Sequence, residues 1–391
     1  MKILYDHQIF KLQAYGGISR YFYELMNSFR KNNLVDFELS LLYSNNSYLK
    51  CDDYFGIKIK NLRPYREFLS GISFKGKGKI YKVFKELRLI NSDFTGNEKF
   101  SKRKLKEGNY DVFHPTYYDD YFLDYINNKP FVLTIFDMTM EIFPEFFPKD
   151  KHIIEMKKKL SKIAKKIITI SINTKKDVIK FFNTPEEKIE VIYLANSLDS
   201  SVNLNNYDLS FLNHNIHRYI LFVGNRQHYK NFNLFIKAIS NVLIKDRDLN
   251  VVCAGGGSFT TKELEEFDRL GIRSQLFQIG INDNLLYNLY QNALAFVFPS
   301  LYEGFGIPIL EAFSCGCPVV LSNSSSFPEI ALDAAVYFNP KNQDSIYKAI
   351  EKVVYNFKLR EKLRKKGFER AKDFSWEKTI KETAEVYKSI I

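Results

Sequence analysis

The stretch AFVFPSLYEGFGIPILEAFSCGCPVVLS, residues 295–322, decides the fold. Two apolar runs, AFVFPS (295–300) and PVVLS (318–322), flank a glycine-broken loop and a helix-length segment. Strand, loop, helix and strand in so short a span form a crossover unit, which joins parallel strands. Gly304 and Gly306 free the backbone to bend and let another group approach closely. Pro308 suits the first turn of a helix, where its missing N–H would have been unpaired anyway. A loop that feeds a helix N-terminus presents unpaired N–H donors and a positive dipole end, which favour an anion. Yet Glu303 and Glu311, on either side, are themselves anions. A ligand with phosphate in its middle and hydroxyls at both ends satisfies all of these features. A sugar nucleotide has that pattern.

Outward from this unit, β-branched and aromatic runs alternate with amphipathic helix-length segments nearly throughout. In the first half the expected strands are KILYD (2–6), FELSLLY (37–43), DVFH (111–114), FVLTIFD (131–137), KIITIS (166–171) and IEVIYL (189–194). In the second they are YILFVG (219–224), NVVCAGG (250–256), LFQIG (276–280), AFVFPS, PVVLS and AVYFN (335–339). Such alternation implies parallel sheets covered by helices on both faces. Two series of this size, in 391 residues, predict two doubly wound α/β domains. The polar stretch from Ala195 to Asn215 is the expected boundary, giving domains 1–196 and 197–375. Ligands of such sheets bind beyond the strand C-termini. Gly16-Gly17 after the first strand and Gly224-Asn225-Arg226 after the seventh are therefore expected to face one cleft.

Composition narrows the classes. The chain is 45% hydrophobic and 26% charged, which suits a folded protein and excludes global disorder. No apolar run reaches the roughly 20 residues of a membrane helix, and Asp6 and His7 stand where a signal peptide would have its apolar centre. A cytoplasmic chain is expected. Cys51, Cys253, Cys315 and Cys317 lack metal-site spacing and read as small buried side chains in a reducing compartment. The net charge of +12 is uneven, with fifteen Lys or Arg against five Asp or Glu between Ile57 and Glu107. That stretch is either a solvated face or a patch that rests on an anionic membrane surface, its interleaved aromatics in the interface.

Several motifs together resemble a known family. EGFGIPILE has the Glu-x7-Glu spacing of retaining GT-B glycosyltransferases of the large family-four type, here Glu303 and Glu311. LFVGNRQHYKNF upstream, YGGISRYFYEL near the start and FSWEKTIKETAEVYKSI at the end continue the resemblance in order along nearly the whole chain. It implies a GT-B fold, two Rossmann-like domains facing a central cleft, with residues 376–391 returning as a helix to the N-terminal domain. It implies that Glu303 binds hydroxyls of the transferred sugar and Glu311 the ribose hydroxyls. The backbone of Phe305, Gly306 and Ile307 would hold sugar and phosphate oxygens. Arg226 and Lys230 would clamp the diphosphate, replacing the divalent metal of other transferases, and no Asp-x-Asp cluster in a plausible site demands one. Gly16 and Gly17 would approach the diphosphate from the other domain, unless they serve only a tight turn. The base would lie near Gly280 and Ile281, under Leu285.

One departure stands out. Where many relatives have His-Asp, this chain has Phe136-Asp137. Asp137 is left to contact donor or acceptor, or merely to cap MTMEIFPEFF. His114 reads as a satisfied strand-end histidine or, failing that, a ligand or base. The resemblance implies transfer of a hexose, mannose-type favoured, to a lipid-linked glycan such as an O-antigen repeat, with no cofactor beyond the nucleotide sugar. A sugar-nucleotide epimerase of the same architecture is the alternative, and it acts on the donor with no acceptor present. A nucleic-acid binder is disfavoured, because the cations cluster away from the glycine loops and no recognition motif is present.

Overall fold

A computed structural model describes residues 1–57, 95–196, 198 and 216–391 of the chain. Most of the basic stretch 57–107 and of the boundary 195–215 lies outside the described residues. What is described of the former is Ile57 and the helix Thr95–Glu107, where Lys102 pairs with Glu98 at 2.7 Å and Lys104 with Glu38 at 2.8 Å.

The first half carries β1 (Lys2–Tyr5), β2 (Asp36–Leu39), β3 (Val112–His114), β4 (Val132–Ile135), β5 (Lys166–Thr169) and β6 (Ile189–Val191). They lie as two parallel sheets, β2-β1-β3 and β4-β5-β6, which a parallel bridge between Phe113 and Phe131 joins edge to edge. The second half carries β7 (Tyr219–Val223), β8 (Asn250–Ala254), β9 (Leu276–Ile279), β10 (Ala295–Phe298), β11 (Val319–Ser322) and β12 (Ala335–Phe338). These form one parallel sheet in the order β12-β11-β10-β7-β8-β9, the order of a Rossmann domain. Continuous burial of runs such as YILFV, AFVF and VVLS fits strands covered on both faces.

Each expected strand is present, but several stop early for physical reasons. FELSLLY is a strand only to Leu39. Beyond it Ser40 N–H bonds back to Tyr5 O at 2.8 Å, and the N–H groups of Leu42 and Tyr43 go to Asn97 Oδ1. FVLTIFD ends at Ile135, because Phe136 and Asp137 turn outward against the second half. Cys253, Cys315 and Cys317 are buried as expected, whereas Cys51 is exposed.

The last helix, Trp376–Lys388, packs on the first half rather than the second. Its Tyr387 hydroxyl lies 2.8 Å from Tyr5 Oη and 2.6 Å from His114 Nδ1, while His114 Nε2 lies 2.9 Å from Thr134 Oγ1. Both ring nitrogens of His114 are thus used inside the core, and burial pushes its pKa down to about 3. His114 is the satisfied strand-end histidine. An apolar cluster from Tyr5, Phe22 and Phe29 through Phe305 and Phe374 to Phe296 runs without a break across both halves.

Candidate active site

In an open parallel sheet the crevice lies where the strand order reverses. In the second sheet that point is between β7 and β10, so the loops after these strands must line it. They are the loops that hold Arg226–Lys230 and Glu303–Gly306. Leu301 N–H donates to Tyr229 O at 2.7 Å, tying one loop to the other. Asn231, in the left-handed region at φ 59°, sends Nδ2 to Pro299 O at 3.1 Å and to Pro340 O at 2.7 Å.

This bracing brings Lys230 to Glu303. Lys230 Nζ donates to Glu303 Oε1 at 2.6 Å, and Ser300 Oγ donates to the same oxygen at 2.7 Å. Both charged side chains are mostly buried, at 15% and 14% exposure, so the pair lies in a poorly solvated pocket where each charge is felt strongly. Ser326 Oγ fixes the loop behind them through Glu303 O at 3.0 Å and Phe305 O at 2.9 Å.

Gly304 is where the two halves touch. A Cβ added there would stand 1.9 Å from Phe136 O and 2.9 Å from Asp137 Cβ. Its carbonyl accepts from Ser171 Oγ at 2.6 Å and Thr174 Oγ1 at 3.3 Å, both of the first half. Only glycine fits so close an approach. Asp137, which caps its own turn by accepting from Thr139 N–H at 2.9 Å, is thereby set against the loop that carries Glu303. Burial, and then the charges of Glu303 and Asp137, raise the pKa of the Tyr229 hydroxyl. Gly306, at φ 99°, starts the helix Ile307–Ser314, with Pro308 in its first turn.

That helix carries Glu311 inward. Tyr290 Oη donates to Glu311 Oε2 at 3.0 Å, and Arg20 Nη1, from the first half, lies 4.0 Å from Oε1. Burial raises the Glu311 pKa, with Arg20 and Tyr290 holding it back. Gly16 and Gly17 lie at the start of the helix Gly17–Asn32, which also bears Arg20. Neither has a left-handed φ, and a Cβ at Gly17 would meet nothing within 4 Å. A Cβ at Gly16 would instead stand 2.5 Å from Gln13 Oε1, which accepts from Ser19 N–H at 3.0 Å, so Gly16 is packed against its own turn. At the C-terminal edge of β9, Ile281 is half-buried beside Gly255, and Leu285 is buried.

Arg226 departs from the expected clamp. Its Nε donates to Glu263 Oε1 at 2.7 Å, and Nη2 donates to Gly257 O at 3.0 Å and Ser258 O at 2.9 Å. Its guanidinium also lies 4.8 Å from the Phe259 ring centroid. The side chain is 4% exposed and its bonds run to the loop after β8, so it is not joined to Lys230 at Glu303. The cause is Glu263, whose pKa burial raises but Arg226 and Thr260 lower on balance, and which also closes a capping box on Thr260.

Sequence reading missed Ser300, Tyr290 and Arg20. Ser300 precedes Glu303 by three residues in the expected strand-end loop, a legible spacing. Arg20 lies inside the quoted YGGISRYFYEL, but its partners are in the other half.

A profile of the family described as glycosyl transferases group 1 matches residues 212–370. The O-antigen chain mannosyltransferase B of Escherichia coli is 32% identical over 271 residues, 66% of this chain and 70% of that one. The chain belongs to the glycosyl transferases group 1 family. This glycosyltransferase is also 30% identical over 222 residues to the O-antigen chain mannosyltransferase RfbU of Salmonella typhimurium, covering 56% of this chain and 60% of that one. Among solved structures, HepE of Anabaena in complex with UDP and glucose superposes with a TM-score of 0.71 over the full length of both chains at 16% identity. The fold of the enzyme is accordingly GT-B, two Rossmann-like halves about a cleft. Among the described residues no helix is long and apolar enough to cross a membrane.

Proposed function

We propose that this enzyme is a retaining hexosyltransferase that moves a mannose-type sugar from a nucleoside diphosphate donor, GDP-mannose favoured, to a lipid-linked glycan acceptor in O-antigen assembly. The observation that carries the reading is the Lys230–Glu303 pair, with Asp137 set against the adjoining Gly304, where the second sheet reverses its strand order. The names of the Escherichia coli and Salmonella relatives support the mannose and O-antigen parts. In this reading Glu303 accepts from hydroxyls of the transferred sugar and Glu311 from the ribose. Charge-assisted bonds of this kind are worth roughly 1.5–3 kcal/mol each. Backbone N–H groups of Phe305, Gly306 and Ile307 hold sugar and phosphate oxygens, Gly16 and Gly17 close on the diphosphate, and Ile281 covers the base.

In the transfer step the acceptor oxygen bonds to the anomeric carbon on the face from which the phosphate departs. The bond from that carbon to the phosphate oxygen breaks, and the acceptor proton passes to the leaving phosphate, so no protein base is needed. Charge grows on the leaving group, and a fixed cation beside it lowers the barrier. Lys230 is that cation, and the scheme needs no divalent metal. Arg226 joins it only by exchanging Glu263 for a phosphate oxygen. For the acceptor, a cavity of about 400 Å³ lined by Gln8, Lys11, Tyr117, Asp119 and His152 lies on the first half. Tyr117 also feels the Asp137 charge, which links that cavity to the reacting end. The basic stretch 57–107 would rest on the inner leaflet, each cation adding about 1 kcal/mol.

The test is a thermal-shift screen of nucleoside diphosphates followed by transfer from the best donor to lipid-linked glycan. A nucleotide at 100 times its dissociation constant should add about 2.7 kcal/mol of stability. The reading is refuted if no nucleoside diphosphate stabilises the protein, or if the donor sugar is altered without any acceptor.

A further inference from the structure

Among the described residues, Arg20 is the cation of the first half that pairs with Glu311, and its surroundings are unusual. It projects from the helix Gly17–Asn32 with 12% of its side chain exposed. Its Nη2 lies 3.5 Å from Asp283 Oδ2 and its Nη1 4.0 Å from Glu311 Oε1, both in the second half. Nε is buried, makes no hydrogen bond among the described residues, and lies 3.9 Å from Glu24 Oε1 on its own helix. The guanidinium stands 6.0 Å from the centroid of the Tyr48 ring, and Tyr15, stacked on Tyr48, donates to Asp283 Oδ1 at 3.3 Å.

An ion pair that served only to join the halves would close to hydrogen-bond distance, as Lys230 does with Glu303. At 4.0 Å Arg20 supplies charge to Glu311 without occupying Oε1. Oε2 is already taken by the Tyr290 hydroxyl. Glu311 thus has Oε2 anchored by Tyr290, while Oε1 has a cation held 4.0 Å away and is left for a further donor. Resting on the reading of Glu311 as the ribose ligand, we propose that Arg20 is a positioning residue of the donor site, reaching across the cleft to keep Glu311 a carboxylate whose free oxygen can accept from the ribose.

The charge balance agrees. Glu311 is buried, and burial raises its pKa. The groups facing it are Tyr290 and Asp283 from the helix Asp283–Asn292, Arg20 and Tyr15 from the first half, and Cys315 just beyond its own helix, while Glu24 faces Arg20 from one turn along its helix. Of these, Asp283 opposes ionisation and Arg20 is the positive charge. Burial likewise disfavours the charge on Arg20, but Asp283 and then Glu311 outweigh it. Removing the Arg20 charge therefore moves Glu311 toward the protonated form, which loses acceptor capacity. Removing the Asp283 charge moves it the other way.

The experiment titrates UDP and GDP separately against the full-length protein across pH 5–9, reading the dissociation constant. In the wild type, affinity falls on acidification as Glu311 takes up a proton. In Arg20→Gln that fall shifts upward by a pH unit or more. At a pH where the wild type still binds fully, the variant is then about tenfold weaker, a unit of pKa being a factor of ten. Arg20→Lys should restore the wild-type midpoint, and Asp283→Asn should move it to lower pH. A purely structural tie predicts instead that Arg20→Gln weakens binding equally at every pH, which overturns the proposal. If Arg20→Gln does not fold, Asp283→Asn decides, since an unmoved midpoint there refutes it equally. Binding of both nucleotides by Glu311→Gln as tightly as by the wild type removes the ribose reading itself, a result separate from failure at Arg20.

Discussion

Substituting Gly304 by Ala should stop the two halves from meeting while leaving each intact. The added Cβ would stand 1.9 Å from Phe136 O, a backbone atom with no rotamer to escape into. Relief needs roughly 1 Å of separation, and a displacement of that size at a reacting centre costs about 10²-fold in rate. The movement also stretches the bonds from Ser171 Oγ and Thr174 Oγ1 to Gly304 O, each worth about 1 kcal/mol net. Lys230, Ser300 and Glu303 all belong to the second half and keep their mutual geometry. What is lost is the approach of Asp137. Steady-state transfer at saturating donor should therefore fall by about two orders of magnitude, while nucleotide affinity should fall less, because Glu311 keeps its place and only Arg20 and the helix end at Gly16-Gly17 draw back. Thermal stability without nucleotide should fall by no more than the roughly 2 kcal/mol those two bonds supply, because opening the halves relieves the clash itself. Wild-type turnover in Gly304→Ala would refute this account of the contact. So would equal losses in turnover and nucleotide affinity, which would mean the loop itself had collapsed.

Further outcomes follow from the same geometry. Glu311→Ala removes the buried acceptor and should weaken nucleotide binding by roughly 1.5–3 kcal/mol, measured by calorimetry, with unchanged affinity as the refuting result. Arg226→Ala strands the partly buried Glu263 and the carbonyls of Gly257 and Ser258, and should cost on the order of 3–5 kcal/mol of unfolding stability. Slowed turnover with full stability would instead make Arg226 a diphosphate clamp. His114 is neutral in the fold down to about 3, so between pH 6.5 and that value the unfolded chain binds a proton that the native one refuses. Stability should fall on acidification through that window by about 1.4 kcal/mol per unit. Denaturant titrations of His114→Gln should show a flatter acid limb, and equal slopes would exclude the assignment.

The strands were legible because a parallel sheet buried on both faces demands unbroken apolar runs, and YILFV or AFVF can satisfy little else. The loops of the site were legible for a related reason. Glycine marks where backbone must bend or approach, and the C-terminal edge of such a sheet is where ligands bind. The partners of charged groups were not legible. Arg226 read as a loop cation, yet its burial depends on Glu263, 37 residues away on another helix. The need for glycine at 304 was visible, but its cause, the Phe136 carbonyl, belongs to the other half. Strand ends misled where a side chain, such as Asn97 beyond FELSLLY, took over the backbone bonds.

The distribution of charge explains why the chemistry needs both halves. The second half brings Lys230, Glu303 and Glu311 to the cleft, two carboxylates and one cation, beside the N-terminus of the helix Ile307–Ser314. The first half supplies what is missing: Arg20 against Glu311 and Asp283, the N-terminus of the helix Gly17–Asn32, and the Asp137 loop pressed on Gly304. Opposite dipole ends and opposite charges attract most strongly where water is excluded, so their contribution appears as the cleft closes. Closure is thus coupled to neutralising the donor, and a donor bound in the open arrangement meets a site whose electrostatics are incomplete. Hydrolysis of the donor by water is thereby disfavoured until the acceptor half is in place.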